Sequence, residues 1–435
     1  MASHSNKSAT VADAPLQLPA WLRKLPVILI AIGGLGALIG FFTGKVDGMQ
    51  LGYSYLLAYM FFLSLCLGGL FLVLMHHLFD AMWSVPIRRI CEHLAFLLPV
   101  MAILFIPIAL LAPQIYPWMS IDSHHDHSLH AKSALINKTA FYVVAAIIFA
   151  VWTFLSYKLR AWSLEQDKTG AAKCTYAMRF YSAWGIFAFA FTLTMASIFW
   201  MKSLQHQFFS TMYGVYYFAG SVWLTYVTVY VITLALRNTG SLREVVGYRQ
   251  FYDLGVMFLV FTVFYAYIAF SQYFLIWNAA VPEETFWFVL REHGTWWQIG
   301  MLMIFGHFLI PFLALLRIDF KLKIAVMGPL CIWAWIMHFC DMSFNITPVL
   351  QIFRKARAMP GDLAHNMKSV VPDNFVIHPM DIACLMFIGG VLAFMFLKYF
   401  KSHPPFPQRD PRFAETMGVY VPSAVDNAVA HGGGK

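Results

Sequence analysis

The chain has 435 residues, 60% of them apolar and 12% charged, against roughly 45–50% and ~25% in soluble domains. That balance, with a mean hydropathy of +0.66, excludes a soluble enzyme, a disordered chain and a disulfide scaffold. The net charge of +9 is spread between apolar runs instead of forming one basic face, so a lipid bilayer is implied and nucleic acid is not.

Residues 1–24 are polar at the start (Ser3, His4, Ser5, Asn6, Lys7), unlike a cleavable signal peptide, and read as a segment preceding the membrane. Apolar runs long enough to cross ~30 Å of hydrocarbon at ~1.5 Å per residue follow at 25–43, 53–79, 86–112, 137–157, 177–201, 212–236, 251–277, 295–316, 324–343 and 379–400. They predict an all-α polytopic membrane protein with ten transmembrane helices in a domain spanning 25–400. A barrel would need shorter alternating strands of ~10 residues. Most of the 30 Lys and Arg fall in the two tails and the even-numbered gaps, which places both termini in the cytoplasm.

Two long connections, 113–136 and 344–378, then face outward, and loops of that length are commonly functional or docked. The second contains Phe353-Arg354-Lys355-Ala356-Arg357, basic residues on the side where few are expected. An acidic neighbour would explain them, as would the tolerance of long loops for charge. The tail, 401–435, is Pro-rich near His403-Pro404-Pro405-Phe406-Pro407 and reads as an extended cytoplasmic segment. Arg88 precedes Glu92, and Arg249 precedes Asp253, each by one helical turn at an inner helix start. This faint repeat suggests two four-helix bundles, helices 2–5 and 6–9, with helices 1 and 10 peripheral.

Ionisable groups at membrane depth cost at least ~2.5–3.5 kcal/mol and are functional candidates by default. His307 is the deepest, near the middle of helix 8, beside Gly306 and Pro311, which permit a close helix approach and free a carbonyl. Its bland reading is a neutral core histidine. Glu92, His93 and Asp253 lie toward the inner side, where arginine partners could neutralise the acids structurally. Lys202, His206, Glu283, Glu284, His338, Asp341, His378 and Asp381 lie toward the outer side, where charges also mark ordinary helix ends. Together they suit two aqueous half-paths meeting at His307.

Six cysteines occur singly, without CxxC or CxxCH, so neither an iron–sulfur ligand set nor covalent haem attachment is written here. A transmembrane haem needs two histidines at matching depth. His76 and His77 read as inner, His338 and His378 as outer, and only His307 as deep, so none is expected. The run Ile121-Asp122-Ser123-His124-His125-Asp126-His127-Ser128-Leu129-His130 has the composition of a metal tract without an ordered spacing; a zinc or copper site and a solvated loop both stay open.

From Phe270 the chain reads FSQYFLIWNAAVPEETFWFVLREHGTWW, and from Phe191 FTLTMASIFWMKSLQHQFFSTMYGVYYFAG. Both resemble the F-type membrane subunit of alternative complex III, within the NrfD/polysulfide-reductase membrane-subunit family. IYPW before the His-rich loop and GHFLIPFLALLR on helix 8 extend the likeness across the ten spans. The resemblance implies a multi-pass subunit of the bacterial inner membrane without its own redox centre, contributing to proton translocation and assembly. Its implied partners are a C-type, NrfD-like quinol-oxidising subunit, an iron–sulfur protein and multihaem cytochrome c subunits, with a terminal oxidase as a further associate. Quinol, haem c and iron–sulfur clusters would belong to those partners. The motifs carry over to Ser271, Gln272, Tyr273, Asn278, Pro282, Glu283 and Glu284, and to Ser203, His206, Ser210, Thr211, Tyr213 and Tyr216. Related sequences often place an Asp before the Trp of the second motif, whereas Phe199 precedes Trp200 here. A relay needing an acid there would rely on Lys202 or His206. Alternatives are a quinol-binding NrfD-like subunit and a secondary transporter. For the latter, Pro99, Pro107 and Pro311 interrupt spans at unmatched places.

Overall fold

In hydrocarbon a backbone N–H must find its carbonyl within the same segment or in a closed barrel, and the long apolar runs of this chain take the first route. The computed structural model describes residues 20–416 except 45, 122–125, 241 and 244. The described residues contain helices and connecting turns but no strand. Among the described residues, nine helices are long and apolar enough to cross a membrane, or ten if one bent pair is counted as a span. The chain is thus an α-helical polytopic membrane protein.

Helix α1 (Ala20–Phe42) leads to α2 (Gly48–Phe79), then to α3 (Val85–Ala95), α4 (Leu98–Leu104) and α5 (Ile106–Ile115). A short α6 (His127–Ala131) precedes the long α7 (Lys138–Thr169), α8 (Ala172–Trp200), α9 (Tyr213–Asn238) and α10 (Tyr248–Ala279). Next come α11 (Pro282–Leu290), α12 (Trp296–Leu302), a π-helical segment (Met303–Leu309), α13 (Ile310–Leu316) and α14 (Ile318–Leu322). The last are α15 (Ile324–Ala358), α16 (Leu363–Ser369), α17 (Pro379–Lys401) and α18 (Phe413–Thr416).

The core sits around α2, which is buried along nearly its whole length, and α9 beside it. They cross closely because α2 has a glycine at the contact. A Cβ on Gly68 would lie 2.1 Å from Thr225 Oγ1 and 2.6 Å from Ser221 O, so any side chain there would push the helices apart. Around this pair, α2 also packs on α3, α5, α8 and α17, α7 packs on α8, and α10 packs on α9, α13 and α14. Helix α15 reaches both α2 and α9, while α1 leans on α17.

Four expectations need correction. The third span is not continuous: α3–α4 meet α5 at 55°, with Pro107 just past the break, where a ring without an N–H leaves a carbonyl unpaired. The ninth span does not stop at 343, because α15 runs on to Ala358 and converts the start of the supposed outer loop into helix. Its basic residues meet the acidic neighbours that were sought, Arg354 with Asp47 at 2.9 Å and Lys355 with Asp373 at 2.6 Å. The tail does not extend freely as far as it is described, since Phe406, Asp410 and Arg412 are buried against the bundle. Of the repeated pairs, only Arg88 and Glu92 form an ion pair among the described residues, at 3.2 Å. Residues 1–19 and 417–435, with the sequence features read there, lie outside the described residues.

Candidate functional site

The π-helical turn at Met303–Leu309 fixes the centre of the molecule. Proline at 311 has no N–H to give, and in π spacing the carbonyl five residues back is that of Gly306. Trp333 Nε1 takes that carbonyl at 2.8 Å from α15. Gly306 allows the approach, since a Cβ there would lie 2.6 Å from Met337 Sδ. The widened turn carries His307 into the core at 0% exposure. Its ring is stacked between Trp223 of α9 and Tyr265 of α10, with centroids 4.0 and 3.9 Å away. Both imidazole nitrogens lack a hydrogen-bond partner among the described residues.

Facing His307 across the helix contact are His338 and Asp341 of α15, both buried, and ligand atoms of all three lie within 4.8 Å of one another. The extra turns of α15 account for this. His338 and Asp341 do not end the helix on the outer side, as the sequence suggests, but sit in its middle at the depth of His307. The premise that only one histidine is deep is therefore overturned.

Hydrogen bonds tie the cluster to its walls. His338 Nε2 contacts Ser64 Oγ of α2 at 2.9 Å. Asp341 Oδ1 accepts from the Tyr216 hydroxyl, which contacts the Tyr265 hydroxyl at 2.8 Å. Asn345, one turn on, donates to the Asp341 carbonyl at 2.9 Å and accepts from the Tyr213 hydroxyl at 2.9 Å. From there the polar chain runs to Arg291, buried in the connection after α11. Its guanidinium donates to the carbonyls of Phe344 and Asn345 and to Gln205 Oε1, and covers the Trp287 ring at 3.6 Å. None of His307, His338 and Asp341 takes part in an ion pair among the described residues.

By donor type, two imidazoles and a carboxylate could hold a divalent cation. Ser64 occupies one ring nitrogen of His338 and Tyr216 one carboxylate oxygen of Asp341, while His338 Nδ1 and both nitrogens of His307 have no hydrogen-bond partner among the described residues. The cluster can hold a proton on imidazole or carboxylate and pass it through hydroxyls that both donate and accept.

The residues read from the sequence as inner form a second cluster. Glu92 is gripped by Arg88 at 3.2 Å, by Arg89 at 2.7 Å and by Ser163 Oγ at 2.6 Å. Arg89 also pairs with Asp167, and Arg88 with Asp410 of the tail. His93 adjoins it, with neither ring nitrogen partnered among the described residues and its ring against Phe396, Phe400 and His403. Asp253, half-buried on α10, joins neither cluster.

The residues read from the sequence as outer separate. Asp381 accepts from Ser54 Oγ at 2.5 Å and from the His378 backbone at 3.0 Å, capping α17. They line a polar cavity of about 160 Å³. His206 pairs with Asp126 at 2.9 Å, and this hydrogen bond holds the Asp126 carboxyl well below the usual carboxylate range. Lys132 donates to the His206 carbonyl, and burial pushes its ammonium down to about 8; burial lowers Lys202 as well. Glu283 and Glu284 sit in the first turn of α11, behind Pro282, and favour its positive end. Ser210 donates to Gln272 at 3.0 Å, and Ser203 to the Phe199 carbonyl at 2.6 Å. Ser271 and Thr211 join neither polar cluster, Tyr273 stacks on Trp277, and Asn278 is exposed. Of the histidine run, residues 122–125 lie outside the described residues, and Asp126 is committed to His206 and to the Leu129 N–H.

Sequence reasoning missed Tyr265, Asn345, Ser64, Trp223, Ser163, Arg291 and Asp410 as parts of these networks. One signal was present: His338, Asp341 and Asn345 recur at helical spacing, which lines them along one face. No protein-family model matches the chain, and no curated protein matches it.

Proposed function

We propose that this chain is an integral subunit of a bacterial quinol:electron-acceptor oxidoreductase of the alternative complex III type, one that moves protons through the His307 cluster and supports assembly. It holds no redox centre in this reading. Quinol, haem c and iron–sulfur clusters belong to a C-type, NrfD-like subunit, an iron–sulfur protein and multihaem cytochromes, with a terminal oxidase as a further associate. The chain lies in the inner membrane with both termini cytoplasmic. It spans ten times when α3–α5 counts as one bent span. In this reading the spans form two four-helix bundles, α2 to α8 and α9 to α15, flanked by α1 and α17.

The observation that carries the reading is the buried His307–His338–Asp341 cluster, without a counter-charge bonded to it and joined by Tyr216, Asn345 and Tyr213 toward Arg291. Structural charges in hydrocarbon are normally paired, as Glu92 is; ionisable groups left to hydroxyls and amides are poised to exchange protons. A transporter is supported less. The bend in α3–α5 and the π turn in α12–α13 interrupt spans at non-corresponding places of the two bundles, whereas transporters break matched helices.

The test is His307→Phe in the whole complex reconstituted into proteoliposomes. The expected result is quinol oxidation near the wild-type rate with proton translocation lowered at least tenfold. Unchanged translocation would remove His307 from the path.

A further inference from the structure

Ser64 settles which nitrogen of His338 is free. Its hydroxyl has one hydrogen, which it donates to the Phe61 carbonyl at 2.6 Å, so toward His338 Nε2 at 2.9 Å it can only accept. Nε2 therefore carries the ring hydrogen and Nδ1 an unused lone pair. A neighbour that fixes one ring nitrogen and leaves the other to an ion is the usual support of a metal-binding histidine. His307 offers two more unpartnered nitrogens, in a ring whose plane is held by Trp223 and Tyr265. Unsatisfied polar atoms in a buried place are costly.

The third donor is the Asp341 carboxylate, steadied at Oδ1 by Tyr216 and Asn345. On α9, a Cβ on Gly220 would have His338 Cε1 at 3.4 Å, Tyr265 Cε2 at 3.6 Å and Asp341 Oδ2 at 3.8 Å, so these groups surround one small space. With ligand atoms of the three residues within 4.8 Å of one another, small side-chain rotations reach the separation of roughly 3.4 Å that tetrahedral ligands at ~2.0–2.1 Å from zinc require. Imidazole and carboxylate without thiolate suit a first-row divalent ion. A closed site favours four-coordinate zinc over magnesium or calcium, which take six or more oxygens. A dication on one carboxylate would leave positive charge in an apolar core. The Tyr216 hydroxyl, already on Asp341, can bind as phenolate, its proton passing to water, and make the site neutral.

We infer that His307, His338 and Asp341 form a zinc site, with Tyr216 as the fourth donor. The ion would take the lone pairs that carry protons, so zinc should arrest translocation; that consequence rests on the proton reading, whereas the site itself does not.

The experiment uses the full chain purified with its accompanying subunits. Because the ligands are buried, zinc is supplied during expression and again, as Zn2+ alone, after dialysis against a chelator. Bound zinc is counted by mass spectrometry, and its neighbours are read by X-ray absorption. Expected is one zinc per chain, with imidazole and oxygen neighbours and no sulfur, bound at least tenfold more weakly by His338→Gln and by Asp341→Asn. Both variants are checked to melt like the wild type, and the wild-type spectrum decides the matter where one does not fold. Absence of zinc, a shell of sulfur or of oxygen alone, or zinc undiminished in both variants would overturn the proposal. Zinc bound with translocation undisturbed would uphold the site and remove the relay. Translocation lost in His307→Phe, with no zinc bound by the wild type, would do the reverse.

Discussion

Asp341 is surrounded by groups that can bond either of its protonation states: the Tyr216 hydroxyl, the Asn345 amide and, across the contact, His307. Replacing it by Asn keeps the shape and most hydrogen bonds but removes the exchangeable proton. Asp341→Asn is expected to preserve folding and quinol oxidation while proton translocation falls at least tenfold, read as the pH change in proteoliposomes per electron transferred. Tyr216→Phe gives the complementary result. It leaves a buried carboxylate short of a donor, which costs about 1–3 kcal/mol, so a lower melting temperature in detergent should accompany slower translocation. Elsewhere in the fold, Asp126 and His206 pair in a buried contact. The Asp126 carboxyl is depressed in the folded chain, so its contribution is fully present above the ordinary carboxylate range and is lost as pH falls through the folded value. Thermal melts across pH should therefore show the wild type losing its advantage over Asp126→Asn only in acid below about 4. An advantage lost near neutral pH would contradict this.

The element on which the site turns is the π segment. It is favoured by the missing N–H at Pro311, by Trp333 on the Gly306 carbonyl and by the room that Gly306 leaves for Met337. With Pro311→Ala an N–H returns and ordinary α spacing becomes competitive, which would turn His307 away from His338. The expected outcome is a folded chain with translocation reduced severalfold, checked by whether Cys replacements at 307 and 338 still cross-link. Most spans were legible because apolar run length is a one-dimensional property. The end of α15 was not, because beyond 343 the helix carries Asn345, Gln351 and Arg354 and hydropathy fails where a helix leaves lipid for a polar surface. That single misplaced end put His338 and Asp341 at the wrong depth. The π turn is equally hidden, since Gly306 and Pro311 permit it but only Trp333, contributed by another helix, makes it favourable.

Across the whole molecule, the two clusters solve the same problem in opposite ways, and the tail belongs to only one of them. In the central cluster, no ion pair is formed among the described residues; in the other, four arginines and four acids neutralise one another. Asp410 enters that second network from the far end of the sequence, where Arg88 and Arg412 hold its carboxyl below the usual range against the opposing effect of burial. Arg412 passes the network on to Asp80, which also meets Arg179 of α8. Gln408 N–H binds Asp167, Thr416 binds the Met82 carbonyl, and Phe406 stacks on Phe413 beneath them. The contacts of Gln408, Asp410, Arg412 and Thr416 with Asp167, Arg88, Asp80 and Met82 join residues more than 200 positions apart, so composition alone could describe the tail only as polar and Pro-rich. Removing one partner from a buried pair leaves the other charge uncompensated, at a cost of about 3–5 kcal/mol. Asp410→Ala should therefore lower the melting temperature in detergent, and limited proteolysis should cut within 402–416 faster than in the wild type. The double change Arg88→Gln with Asp410→Asn removes both charges and should recover part of the loss. Exposed salt bridges are worth roughly 0–1 kcal/mol, so the same tests on Arg317 and Asp319, a surface pair at 3.0 Å, should show almost nothing.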